Sequence, residues 1–334
     1  MSRYYEGYNK KEKRRAAPPP QPRREGGFGR ALVRFLLKLL GIYLVFMVVV
    51  GVVMWALPVS FFAVEPEGAQ LSLQAGLPSS RENILLLGVD ALNEYGTQRS
   101  DTIIIASVGY DGLRLTSLMR DMRVSIPGHG LDKLNAAYAY GGPELVMRTV
   151  NENFQMNIMR YVVVDFLELA ELVDALGGVN VSVTEAEMEQ VNANIDMDGA
   201  VFSAAGYERT LLTQYGDNVR LNGLQALGYA RIRKIDSDYQ RTARQRKLLE
   251  AMVARGKENP VGLVRAAWKA LRKIESSLSP AEIVSLGLKV LVGGEVRQFR
   301  LPVEGTFNDN GSSLIIRDLS ANVQALYDFV YGEN

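Results

Sequence analysis

Residues 83–119 read NILLLGVDALNEYGTQRSDTIIIASVGYDGLRLTSLM, and three strands can be read from them. Residues 83–89 (NILLLGV) are almost continuously apolar, as a strand covered on both faces requires. Residues 102–108 (TIIIASV) are β-branched and equally apolar. Tyr110-Asp111-Gly112 carries an Asp-Gly turn signal, which makes 113–119 the hairpin partner of the second strand. Downstream, strands and helices mix. Residues 133–140 and 143–154 predict helices, 161–166 (YVVVDF) a strand, and 167–176 a helix closed by Gly177-Gly178. A strand over 179–183 precedes helices over 222–233, 237–257, 261–274 and 280–291. A strand over 295–302 and a helix over 319–331 close the chain. Buried strands among amphipathic helices predict an α/β fold, a mixed central sheet covered by helices on both faces.

The net charge of +1 over 334 residues hides an asymmetry. Residues 1–38 hold eleven Lys/Arg against three Asp/Glu, whereas 39–334 hold 27 against 34. The folded part is therefore mildly acidic, which argues against nucleic acid as a partner. Residues 1–30, with a proline run at 18–20, read as a disordered basic cytoplasmic tail. No charge occurs from Leu39 to Val64, more than the roughly 20 apolar residues that cross a bilayer. A transmembrane signal-anchor helix is predicted over 31–58. The basic flank keeps the N-terminus in the cytoplasm and places the rest outside the cell. The alternative is a cleaved signal peptide, but the run exceeds the usual core of roughly 7–15 residues. Residues 59–82 form an extracellular linker. The chain has no cysteine and a single histidine, His129 in a Gly-flanked loop. Disulfides, thiolate catalysis and multi-histidine metal sites are excluded.

Three islands of charge sit at strand ends: Asp90, Arg99-Ser100-Asp101-Thr102, and Arg120-Asp121-Met122-Arg123. If the first two strands are antiparallel neighbours, Asp90 and Asp101 share one edge of the sheet. Arg120 joins them if the third strand runs with the first. Converging carboxylates beside arginines can hold Mg²⁺, with phosphate oxygens completing its shell. Each island alone is an ordinary loop charge. A fourth cluster lies between Tyr229 and Lys247, with Arg231, Arg233, Lys234, Arg241, Arg244, Arg246 and Lys247. Arginine forks match phosphate oxygens in pairs. Asp238, Arg241, Arg244 and Gln245 line one helix face, while Arg231 and Arg233 straddle the end of the preceding helix. Arg246 and Lys247, off that face, are expected in solvent or against the membrane. The competing reading is a solvated helix face on which Asp238 pairs with Arg241. Lys133 stands at a predicted helix start, a place that favours anions.

These segments together resemble the LytR–CpsA–Psr family of membrane-anchored cell-wall enzymes. The matching stretches are NILLLGVD (83–90), RSDT (99–102), MRDMRVSIPG (119–128), KLNAAYAYGG (133–142), VVVDF (162–166), LVDALGGVNVSV (172–183) and LNGLQALGYARIRKIDSDYQRTARQRKLL (221–249). The resemblance implies a catalytic domain over 83–258, with 259–334 as a helical and strand extension packed on it. It implies a phosphotransferase that moves a glycopolymer from a polyprenyl-pyrophosphate carrier to peptidoglycan through a phosphodiester. It also implies a single-pass protein of a Gram-positive-type cell membrane. Asp90 and Asp101 would hold Mg²⁺, or Mn²⁺. Arg99, Asp101, Arg120 and Asp121 would be catalytic. Arg120, Lys133, Arg231, Arg233, Arg241, Arg244 and Gln245 would bind the pyrophosphate. The family commonly has proline at the place of Met119 and threonine at that of Met122. The rival functions are a polyprenyl-phosphate-binding regulator and a lipid pyrophosphatase that lacks ligase activity.

Overall fold

β1 (Glu82–Val89), β2 (Ser100–Gly109) and β3 (Gly112–Leu118) form the antiparallel meander that the apolar runs predict. The computed structural model describes residues 71–74, 76–89 and 98–332, all within the compact unit Pro58–Asn334. The expected tail, membrane helix and Asp90 lie outside the described residues. Among the described residues, no helix is long and apolar enough to cross a membrane.

After β3 the chain makes a small hairpin, β4 (Met122–Ile126) with β5 (Gly130–Lys133). Lys133 therefore ends a strand, paired with Arg123, and does not open a helix as the sequence pattern predicts. α1 (Ala136–Phe154) absorbs both helices predicted there and kinks where they were to part. Gly142 takes a φ of 65° at the kink, a left-handed value that favours glycine, and Pro143 follows it. β6 (Arg160–Asp165) then pairs parallel with β1. Asp165 caps α2 (Phe166–Leu176) in a capping box with Glu168.

β7 (Val179–Val183), α3 (Glu185–Met197), α4 (Gly199–Ala204), β8 (Gly216–Leu221) and α5 (Gly223–Ala230) come next. Gly223 opens α5 at a point where a Cβ would stand 2.1 Å from the carbonyl oxygen of Ala170. Its N–H donates to Asp174 Oδ1 at 2.7 Å. Only glycine lets α5 seat this close to α2, and that seat fixes where Arg231 and Arg233 emerge.

The chain continues through α6 (Asp238–Glu258), α7 (Pro260–Lys273), β9 (Glu275–Ser276), α8 (Pro280–Val292) and β10 (Val296–Leu301). β11 (Phe307–Asp309), β12 (Leu314–Ile316) and α9 (Leu319–Tyr331) complete it. The central sheet is mixed, with strand order β10-β3-β2-β1-β6-β9. Residues after 258 thus supply the outermost strand on each side, so this segment is woven into the sheet and not laid against it. Successive residues of β1 and β2 face opposite sides. Leu85, Leu87, Ile103 and Ile105 pack under α1 and α9. Ile84, Ile104 and Ala106 pack under α6 and α8, through Leu249, Val253, Ile283 and Leu286. This two-sided cover explains why the runs are apolar throughout. A separate core joins α2, α3 and α5 to the β7–β8 ribbon, with Leu248 of α6 entering it.

Candidate active site

β1 and β2 pair Gly88 with Thr102 and Val89 with Ser100, so Asp101 is the extra residue of a bulge. A Cβ on Gly88 would stand 2.8 Å from Thr102 Cβ, so glycine permits the tight crossing beside it. Because β3 runs with β1, Arg120 arrives at the same end of the sheet, as predicted. Its Nη1 donates to Asp101 Oδ1 at 2.6 Å. Its Nε lies 3.2 Å from Asp121 Oδ2 and 3.3 Å from Asp238 Oδ2. Lys133 Nζ reaches the other oxygen of Asp121 at 2.9 Å. Met119 just before it is buried, and its N–H donates to Leu301 O at 3.1 Å. A proline there would have no N–H to give. Met122 is fully buried in the core beneath.

The arginine cluster closes on Asp101 from the other side. Arg233, in the loop after α5, donates to Asp101 Oδ2 at 2.8 Å. Burial pushes the Asp101 carboxyl upward, but Arg120, Arg233 and Arg241 outweigh it and hold the group below the usual carboxylate range. Arg241 is 1% exposed. Its Nη2 donates to Asp238 Oδ2 at 2.9 Å and to the Asp101 carbonyl at 3.4 Å. The competing expectation of an Asp238–Arg241 pair is thus met, yet it satisfies one nitrogen only. Arg241 Nε and Nη1 are buried with no hydrogen-bond partner among the described residues. Burial, with Arg120 and Arg233 nearby, pulls this guanidinium down to about 10. Gln245 Oε1, one turn on, is likewise buried and unpartnered. Asp101, Arg231, Arg233, Arg241 and Gln245 line one cleft of about 220 Å³, together with Phe166, Asn194 and Met197. Buried donors without acceptors cost stability, and an anion in the cleft would relieve that cost.

Other predicted residues are held differently. Arg231 caps the end of α5, its Nη1 on Asp198 and its guanidinium 4.8 Å from the Phe166 ring centroid. Arg244, expected on the ligand face, is instead taken up by protein carboxylates. Its Nε donates to Glu187 at 2.7 Å, and its Nη2 pairs with Asp236. It is absent from the cleft lining and works as a pin between α6, α3 and the loop carrying Arg233. Arg246, expected outside, is buried between Ser117 Oγ at 2.6 Å and Gln298 Oε1 at 3.2 Å. β10 beside β3 covers it, a neighbour that local pattern does not reveal. Arg99 is exposed and does not line the cleft. Sequence reasoning passed over Asn194, Met197, Asp198 and Glu187, all on or just after α3. The signal for that helix was Thr184-x-x-Glu187, a capping box.

For a divalent cation, no three His, Cys, Asp or Glu side chains converge among the described residues. Mg²⁺ needs fewer, because it binds through one or two carboxylates with substrate phosphates. Asp101 fits that role in kind. It is held ionised, and each of its oxygens keeps a lone pair beyond the arginine bond described.

The LytR_cpsA_psr family matches residues 64–326, which contain every element of this cleft. "Regulatory protein MsrR" of Staphylococcus aureus (strain COL) is 29% identical over 260 residues, 74% of each chain. "Polyisoprenyl-teichoic acid--peptidoglycan teichoic acid transferase TagU" of Enterococcus faecalis is 40% identical over 178 residues, 51% of this chain and 52% of its own. The solved structure "TagT bound to LIIa-WTA" superposes with a TM-score of 0.59 at 26% identity, covering 75% of this chain and 90% of that one. With the sheet, the Asp101–Arg120 edge and the arginine-lined cleft inside the matched span, the chain belongs to the LytR–CpsA–Psr family.

Proposed function

We propose that this protein is a membrane-anchored, extracellular phosphotransferase. It moves a glycopolymer from a polyprenyl-pyrophosphate carrier to peptidoglycan through a phosphodiester bond. The observation that carries this reading is Arg241, which lines a cleft with Arg231 and Arg233 and has two buried nitrogens without a hydrogen-bond partner among the described residues. A pyrophosphate supplies acceptor oxygens for such forks. The name of the TagU relative and the ligand in the TagT structure support the same substrate class.

In this reading a sugar hydroxyl attacks the glycan-proximal phosphorus in line with the leaving polyprenyl phosphate. Arg241, Arg231 and Arg233 bind the phosphates and face the charge as it shifts to the leaving group. Arg120 fixes the register of the site by holding Asp101, Asp121 and Asp238 at once. When bound, Mg²⁺ would supply further charge neutralisation, held by Asp101 and by Asp90 outside the described residues. Asp101 is a poor general base, since neighbouring arginines hold its carboxyl below the usual carboxylate range, lowering its affinity for a proton, and engage both oxygens.

The MsrR relatives bear a regulatory name, which favours a second reading as a binding protein without transfer. Product analysis separates the readings. The full chain would be incubated with lipid-linked glycan and peptidoglycan. Glycan joined to peptidoglycan supports the ligase. Free glycan phosphate marks a pyrophosphatase, and bound but unchanged donor marks the regulator.

A further inference from the structure

Outside the cleft, one exposed cluster is unusually ordered. His129 stands at the tip of the β4–β5 hairpin between Gly128 and Gly130, whose φ values of 79° and 73° are left-handed. Its backbone N–H closes the turn on Ile126 O at 2.9 Å. Its ring lies flat on Tyr140 of α1, with centroids 4.5 Å apart and planes 8° from parallel. Both rings are exposed, Tyr140 by 46%. The Tyr140 hydroxyl donates to Asp132 Oδ2 at 2.7 Å, and Asp132 Oδ1 accepts from the Lys133 N–H at 2.7 Å. Arg99 is close enough for its charge to act on both Asp132 and Tyr140.

The cluster adjoins the reacting centre. Asp132 precedes Lys133, which grips Asp121 at 2.9 Å, and Asp121 in turn meets Arg120. Holding two aromatic rings and a carboxylate in one arrangement in solvent costs side-chain entropy. Such preorganisation lowers the cost of binding a partner. A pyranose ring has a face of C–H groups and a rim of hydroxyls. The flat rings match the face, while Asp132 as acceptor and Arg99 as donor match the rim.

We propose that the His129–Tyr140 stack, with Asp132 and Arg99 at its edge, is a saccharide-binding platform beside the active site. The inference rests on the transferase reading above, in which both donor and acceptor carry sugars. Ligand-observed saturation-transfer NMR on the full chain in detergent micelles tests it. The probes are a β-1,4-linked N-acetylated amino-sugar tetrasaccharide, for the acceptor, and a short-chain lipid-pyrophosphate disaccharide, for the donor. His129→Ala and Tyr140→Ala should each weaken at least one probe about tenfold while the thermal midpoint holds. Weakening of the tetrasaccharide alone assigns the platform to the acceptor, and of the lipid disaccharide alone to the donor glycan. Affinities within about twofold of wild type for both probes, or no saturation from either with wild type, overturn the platform. Should Tyr140→Ala unfold, His129→Ala in its exposed turn decides alone. Failed transfer with sugar binding intact would sink the transferase reading but not the platform.

Discussion

Arg241 and Arg244 stand one turn apart on α6, both almost wholly buried, and the protein treats them in opposite ways. Arg244 is surrounded by acceptors: Glu187, Asp236 and the Ile232 carbonyl. Burial works against its charge, but these partners hold it above the ordinary arginine value. Arg241 shares one carboxylate with Arg120 and has two nitrogens without a partner among the described residues. Burial and two neighbouring arginines push it down to about 10. Arginine content alone therefore does not mark a phosphate site. In the proposed reading, what marks it is a buried guanidinium left incompletely paired by the described residues.

Four experiments bear on that contrast. The largest effect is expected from Arg241→Met. Transfer should fall by about 10²–10³-fold, as when one oriented donor to a developing charge is removed. The thermal midpoint should hold or rise, since an incompletely paired buried cation is lost. A variant that melts early would show Arg241 to be structural after all. Next, inorganic pyrophosphate at about a hundred times its Kd should stabilise wild type by about 2.7 kcal/mol. Differential scanning calorimetry should find most of that stabilisation gone in Arg241→Met. Arg244→Met should do the reverse, losing about 2 kcal/mol in urea unfolding because Glu187 and Asp236 lose their shared cation. If Arg244→Met matched wild type in urea, the pin would be disproved. The smallest effect concerns Asp101. Its folded carboxyl titrates below the ordinary value of 3.8, so its ion pairs add stability above that pH and lose it as pH falls through the folded value. Asp101→Asn should thus trail wild type by about 1 kcal/mol at pH 7 and converge with it in strong acid. A constant gap across that range would contradict the ion-pair account.

The same contrast explains what could be read from the chain beforehand. The meander and the meeting of Asp101 with Arg120 follow from apolar runs, an Asp-Gly turn and antiparallel pairing, all local signals. The roles of Arg244 and Arg246 do not. Arg244 finds Glu187 57 residues away, and Arg246 finds Gln298 52 residues away. Helix periodicity places a side chain on a face but does not say what covers that face. α3 was missed because its residues are polar nearly all round, with only Val191, Asn194 and Ile195 buried. β4 alternates buried and exposed residues for only five positions, too few to stand out. The helix predicted from 133 begins only at Ala136, because Lys133 pairs with Arg123 across the hairpin, a tertiary pairing that overrides local pattern.

The placement of β9 and β10 has a consequence for how the molecule comes into being. β3 and β6 present open hydrogen-bonding edges until residues from the far end of the chain arrive to cover them. Synthesis delivers β1, β2, β3 and β6 first, so a half-made sheet must wait, uncapped, for its last two strands. A chain stopped at 258 would hold every charged residue of the cleft described here and yet expose two templates for strand addition. Its expected fate is self-association, and not a smaller working enzyme.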